Sequence, residues 1–263
     1  MPPVRLLHHH LSGPPGEPLL VLGPSLGTSM TVWAPHLRAL AQNFRVLPFD
    51  LPGHGDSPAD LLGDPGPGGT TVADLAALVL DLIDHHGVRQ FHYAGISLGG
   101  AIGAHLAAHH PERVASLTLI CSSAHFGAPG PWRERAALVR LKGTAPLLVT
   151  NPGRWFADPR TRTTPRGRAL LKSLADADPA GYAACCDALA GYDLRPRLGQ
   201  ISAPTLVIGG AHDVATPPHH AQELAHGIRR ATLKIISTGH LAAEEPLTVE
   251  TALMTHIKTA DTG

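Results

Sequence analysis

Ser97, Asp213 and His240 are the residues whose types and settings could do chemistry together in this chain. A serine hydroxyl is a weak nucleophile. It attacks a carbonyl when an imidazole within hydrogen-bond reach takes its proton, and that imidazole needs a carboxylate to fix its tautomer and stabilise its cation. Ser97 sits in Gly95-Ile96-Ser97-Leu98-Gly99-Gly100, between an apolar run and the helical-looking residues 101–110. A strand turning directly into a helix strains the serine, and glycines two residues to either side remove the β-carbons that would clash there. The plain alternative is a glycine-rich turn that packs a helix. Asp213 and His240 lie in the polar loops 210–218 and 237–246, each following an apolar run. Their plain alternatives are a turn or N-cap carboxylate and a polar loop histidine. Asp187 and Asp193 are weaker rivals for the acid because they belong to a helical insertion, and His212 adjoins Asp213 too closely in sequence to be oriented by it. Acyl transfer also requires donors for a developing oxyanion. The N–H of Leu98, just after the serine, is one candidate, and the N–H of Leu26, in the loop after the first apolar run, is the other.

These loops need elements to position them. Residues 18–23, 44–49, 91–94 and 114–121 read as strands of the continuous apolar kind that is buried on both faces of a parallel sheet. Helices are expected at 32–41, from Thr71 to about His86, and from the serine to about His110, where Pro111 closes the last. Residues 60–71 form a Pro/Gly-rich surface loop. The alternation stops at residue 123: up to 197 there is no convincing strand, only helical stretches at 132–141 and 181–190, broken by Pro129, Pro146, Pro152, Pro159 and Pro165. Strands at 204–209 and 232–236 and helices at 217–226 and 247–257 then resume the pattern. The expected fold is α/β, with a mostly parallel, doubly wound sheet built from residues 1–122 and 198–263 and a helical cap at 123–197. In such sheets sites gather beyond the carboxyl ends of the strands, where the serine, aspartate and histidine loops would meet.

Composition removes other classes. Among 263 residues, Lys+Arg and Asp+Glu both total 21, and the absence of a basic block argues against nucleic acid. The sequence holds neither a signal-type apolar segment at its start nor an apolar run long enough to span a bilayer, which leads to the expectation of a soluble cytoplasmic protein with no membrane partner. Three cysteines, Cys121, Cys185 and Cys186, are an odd number that fits a reducing compartment. The 18 histidines include the adjacent pairs 85–86, 109–110 and 219–220 near helix ends; these read as solvated side chains, and no metal is expected. The triplet His8-His9-His10 falls where a first edge strand would lie.

The runs Ser25-Leu26-Gly27-Thr28, Asp50-Leu51-Pro52-Gly53-His54-Gly55-Asp56-Ser57 and Gly95-Ile96-Ser97-Leu98-Gly99-Gly100, with the order serine, aspartate, histidine, resemble the α/β-hydrolase superfamily. The cap narrows the likeness. Cys121-Ser122-Ser123-Ala124 before Trp132, Arg154-Trp155-Phe156, and Gly181-Tyr182-Ala183-Ala184-Cys185-Cys186 are similar to the 3-oxoadipate enol-lactonases of protocatechuate and catechol breakdown. That resemblance implies an acyl-enzyme on Ser97, a small anionic lactone as substrate and no cofactor. It further implies an apolar wall at Trp132, with Trp155 as pocket wall or cap core, and a carboxylate contact from Arg133 or Arg135. The sequence departs from the family at the Arg/Thr-rich residues 161–168 and at Ala242-Ala243-Glu244-Glu245 after the histidine. Carboxylesterases, C–C bond hydrolases and cofactor-free haloperoxidases share the triad, and a receptor could keep the pocket without catalysis. Monomer and homodimer are both compatible with the sequence.

Overall fold

The computed structural model describes residues 5–261. Six parallel strands, β1 (Leu19–Gly23), β2 (Arg45–Pro48), β3 (Phe91–Ile96), β4 (Val114–Ile120), β5 (Thr205–Gly210) and β6 (Ala231–Ile236), form one sheet in the order β2-β1-β3-β4-β5-β6. β1, β3 and β5 are buried along their whole length, as their unbroken apolar runs require. β6 is an edge, and its Leu233 and Ile235 are exposed. The other edge, β2, is covered by residues 8–12, whose backbone bonds it antiparallel: His10 N donates to Pro48 O at 3.1 Å and Val46 N to Ser12 O at 2.8 Å. The histidine triplet thus lies at the sheet edge, but in isolated bridges instead of a regular strand.

The chain steps from β1 outward to β2 and returns to β3 on the far side of β1. The strand order therefore reverses between β1 and β3, which opens a crevice at their carboxyl ends. Gly23 of β1 pairs with Gly95 of β3 there, so both strands deliver their loops at the same height.

Helices α1 (Ala34–Leu40), α2 (Val72–His85) and α3 (Leu98–His109) follow the first three strands. α2 opens with a capping box: Thr71 Oγ1 accepts from Asp74 N at 3.2 Å, and Asp74 Oδ2 accepts from Thr71 N at 2.8 Å. Its buried face is Val72, Leu75, Ala76, Val79, Leu82 and Ile83, at helical spacing. α3 is buried nearly all round because it packs on β1, β3 and β4 and beneath α2.

Between β4 and β5 the structure holds α4 (Pro129–Lys142), α5 (Leu147–Trp155), α6 (Pro165–Asp176) and α7 (Pro179–Ala190). α5 and α6 were not expected, because the prolines read as breaks. Pro129, Pro165 and Pro179 instead begin helices and Pro146 is an N-cap, whereas Pro152 falls in the interior of α5. α7 is apolar because it is buried between α4 and the body, and it carries the unpaired Cys185 and Cys186. The chain ends with α8 (Pro218–Gly227) and α9 (Pro246–Asp261); no described helix is long and apolar enough to cross a membrane.

Two histidine pairs are not merely solvated. His220 lies 2.6 Å from Ser123 Oγ through Nδ1, and His86 Nε2 lies 3.1 Å from His9 Nε2.

His36, on α1, is buried against Trp33, with Glu250 of α9 at 4.0 Å and Arg166 of α6 nearby. Burial, aided by the Arg166 charge, pushes its pKa down to about 4. The folded protein holds this imidazole neutral, whereas the unfolded chain protonates it below about 6.5. Its contribution is therefore complete above pH 6.5 and is lost as pH falls towards 4, by about 3 kcal/mol in all. Urea unfolding across that range should show the slope in the wild type and a flatter one in His36→Gln. Equal slopes would assign the acid sensitivity elsewhere.

Candidate active site

β3 ends at Ile96, α3 begins at Leu98, and Ser97 between them has φ 54° and ψ −114°. A non-glycine residue at positive φ is strained and persists only where its surroundings fix it. Ser97 N donates to Ile120 O at 2.9 Å, and Ser122 Oγ donates to Ser97 O at 2.7 Å. The flanking glycines are sterically required: a β-carbon on Gly95 would strike the Gly99 carbonyl, and one on Gly99 would strike that of Gly23. Strand β1 thus seats the turn directly.

The loops after β5 and β6 bring the other two residues to this serine. His240 Nε2 lies 2.9 Å from Ser97 Oγ, and His240 Nδ1 lies 2.9 Å from Asp213 Oδ2. All three residues are buried. Asp213 Oδ1 accepts from the N–H groups of Ala215 (2.7 Å) and Thr216 (2.9 Å), and Oδ2 from Thr216 Oγ1 (2.7 Å). Burial pushes the carboxyl pKa up, but His240 and the Thr216 hydrogen bonds outweigh it and hold the group below its ordinary value. Sequence reasoning missed Thr216, whose hydroxyl also lies 2.9 Å from Cys121 O. The rival acids are engaged elsewhere: Asp187 pairs with Arg140 and Asp193 with Arg195, each at 2.6 Å. His212 is exposed and lies 3.2 Å from Ser237 Oγ.

The Leu26 and Leu98 N–H groups have no hydrogen-bond partner among the described residues, Leu98 being the first residue of α3. The loop carrying Leu26 is fixed by a residue that the sequence left unassigned. Buried His54 places Nδ1 3.0 Å from Pro52 O, and Gly27 N donates to His54 Nε2 at 3.1 Å. Burial lowers the His54 pKa, which keeps the ring neutral and Nε2 able to accept.

A cavity of about 30 Å³ joins Ser97, His240 and Leu26 to the cap residues Trp132, Arg135, Asn151, Arg154, Trp155 and Tyr182. Trp132 donates Nε1–H to Phe126 O at 2.8 Å, and Arg135, three residues on, stacks over its ring at 5.4 Å. Trp155 is buried and faces the cavity, so it is both core and wall. Arg133 is exposed and borders a separate hollow with Pro67 and Arg140, which removes it from the candidate substrate contacts. The residue missed in its place is Arg154. Arg154 and Trp155 lie three and four residues after Asn151 on α5, the spacings that bring each beside it on the cavity side. Burial lowers the Arg154 pKa, and the charge of Arg135 adds to the effect. Neither arginine forms an ion pair among the described residues, and Asn151 Oδ1 is buried without a hydrogen-bond partner. One cavity therefore holds a serine hydroxyl within hydrogen-bond distance of an imidazole and two guanidinium groups that have no ion-pair partner among the described residues.

Comparison with known proteins agrees with this geometry. The sequence matches the profile of the alpha/beta hydrolase fold over residues 18–247. It is 34% identical to 3-oxoadipate enol-lactonase 2 of Acinetobacter baylyi, over 91% of this chain and 88% of that one. It is 32% identical to a putative carbamate hydrolase, RutD, of Stutzerimonas stutzeri, over 89% of each. The crystal structure of an enol-lactonase from Burkholderia xenovorans superposes with a TM-score of 0.90 at 32% identity, covering 96% of both chains.

Proposed function

The chain belongs to the α/β-hydrolase family, and we propose that it opens a small anionic lactone, 3-oxoadipate enol-lactone of aromatic catabolism, through an acyl-enzyme on Ser97. The observation that carries this reading is the hydrogen-bonded Ser97–His240–Asp213 set in one cavity with Arg135 and Arg154. A carboxylate leaves water only for a cation or several N–H donors, and two guanidiniums without ion-pair partners meet that need.

The proposed steps follow from the same atoms. His240 Nε2 takes the Ser97 proton as Oγ attacks the lactone carbonyl, and Asp213 stabilises the resulting imidazolium. The Leu26 and Leu98 N–H groups receive the oxyanion, each such donor being worth about 3 to 4 kcal/mol of barrier. Collapse breaks the ring C–O bond, and His240 returns the proton to the leaving oxygen. The product enol stays tethered to the acyl-enzyme and relaxes to the ketone, which draws ring opening forward. Water deprotonated by His240 then cleaves the ester and releases 3-oxoadipate. No cofactor enters these steps. The reading puts the protein in the cytoplasm, where Cys121, Cys185 and Cys186 remain thiols.

The likeness to putative carbamate hydrolases supports a second substrate class on the same machinery, and a carboxylesterase would take neutral esters. The two guanidiniums favour the anion. Arg154→Gln and Arg135→Gln should each raise KM for the enol-lactone by about tenfold to about a hundredfold, the loss of one charge-assisted hydrogen bond, and leave kcat/KM for p-nitrophenyl acetate nearly unchanged. Equal losses on both substrates would make the arginines structural and the anionic reading wrong.

A further inference from the structure

The residues after His240, which depart from the resembled family, hold Glu244. We infer that Glu244 is a positioning residue that couples the seating of the cap helix α5 to the placement of His240; the inference rests on the reading of Ser97 and His240 as the reacting pair.

One carboxylate bridges two parts of the molecule. Glu244 Oε2 accepts from Thr238 Oγ1 at 2.7 Å and from Gly239 N at 3.2 Å, the two residues that immediately precede His240. Its Oε1 accepts from Ala157 N at 2.9 Å and from Thr161 Oγ1 at 3.3 Å, in the segment that leaves α5. That helix brings Asn151, Arg154 and Trp155 to the cavity. Further contacts follow the same seam. Arg166 of α6 donates to Ala243 O at 3.0 Å, and Leu241 N donates to Trp155 O at 3.4 Å. The approach is close enough that a β-carbon on Gly239 would lie 2.6 Å from both Ala157 N and Trp155 O. Ala242 turns the loop at φ 50°, which carries Glu244 back beneath the histidine.

The cavity gives this bridge a task. It is narrow, about 30 Å³, and Asn151, Arg154 and Trp155 of α5 form part of its wall, so displacement of that helix widens the way to Ser97. Movement of α5 away from the His240 loop stretches the Ala157 and Thr161 bonds, and the carboxylate that loses them is the one that fixes Thr238 and Gly239. The His240 loop is held from both sides when the cap is seated and from one side when it is not. Formation of the Ser97–His240 hydrogen bond is thereby linked to cap closure.

Two variants each open one side of the clasp. Glu244→Asp keeps both acceptor oxygens but is too short to reach both sides, whereas Glu244→Gln keeps the reach but has one acceptor oxygen, so its NH₂ meets an N–H donor on the other side. The acylation burst with p-nitrophenyl acetate reads Ser97 and His240 without using the arginines, and its pH profile reports the histidine. The expected result is a loss of between about tenfold and about a hundredfold in the burst rate of each variant, with a displaced pH midpoint in both. Wild-type burst rates and midpoints in the folded variants would overturn the inference. Hydrogen exchange on the wild type tests it without a substitution: the Ala157 and Gly239 amides should open together with one protection factor, and unequal protection would contradict a shared clasp. Wild-type rates of p-nitrophenyl acetate hydrolysis in a folded Ser97→Ala variant would refute the Ser97 reading itself, and this inference with it.

Discussion

Ser97→Ala should abolish hydrolysis, with a fall in kcat on the order of 10⁶, the size of loss that follows removal of the serine from a working triad. The expected loss is large because the hydroxyl is the attacking atom and His240 has no other group to deprotonate at 2.9 Å. The fold should survive. The strained turn depends on Gly95, Gly99 and the main-chain bonds of Ser97 to Ile120 and Ser122, and the substitution leaves all of these in place. Steady-state rates together with circular dichroism check both halves. A folded variant with more than about a hundredth of wild-type activity would show that the chemistry runs through another nucleophile or directly through water.

Asp213→Asn should cost about 10⁴ in kcat. The carboxylate accepts four hydrogen bonds, from Ala215 N, Thr216 N, Thr216 Oγ1 and His240 Nδ1. An amide has one acceptor oxygen. If the two backbone N–H groups keep it, the amide NH₂ faces His240 Nδ1 and forces the proton onto Nε2, the wrong tautomer to receive one from Ser97. Because His240 and Thr216 hold the Asp213 pKa below the ordinary carboxylate value, the wild-type carboxylate stays ionised across neutral pH. A loss of less than about tenfold in a folded variant would reassign the orienting role.

The sheet and the reacting set were legible in the sequence for local reasons. Unbroken apolar runs mark strands buried on both faces, and the glycine spacing around Ser97 records a backbone clash that only a tight strand-to-helix turn creates. Asp213 could be chosen because it follows such a run, and His240 because it follows residues 232–236, which form the exposed edge strand β6. The cap was less legible. Prolines at helix starts look like breaks when read singly, and Pro152 inside α5 concealed the helix that aligns Asn151, Arg154 and Trp155. Arg133 and Arg135 differ only in helical phase; Trp132 and Arg135, three apart, share the cavity face, and Arg133 points off it. His54, Thr216 and Glu244 act through hydrogen bonds to residues 27, 121 and 157, contacts that exist only once the chain has folded.

The turnover of freshly generated 3-oxoadipate enol-lactone by the wild-type protein, followed as loss of its ultraviolet absorbance, tests the proposed activity most directly. The expected kcat/KM lies between about 10⁴ and about 10⁸ M⁻¹ s⁻¹, the ordinary range for an enzyme on its own substrate, and exceeds the value for p-nitrophenyl acetate. No loss above background, from protein that still acylates at Ser97 with the neutral ester, would contradict the lactonase reading and leave an esterase built on the same three residues.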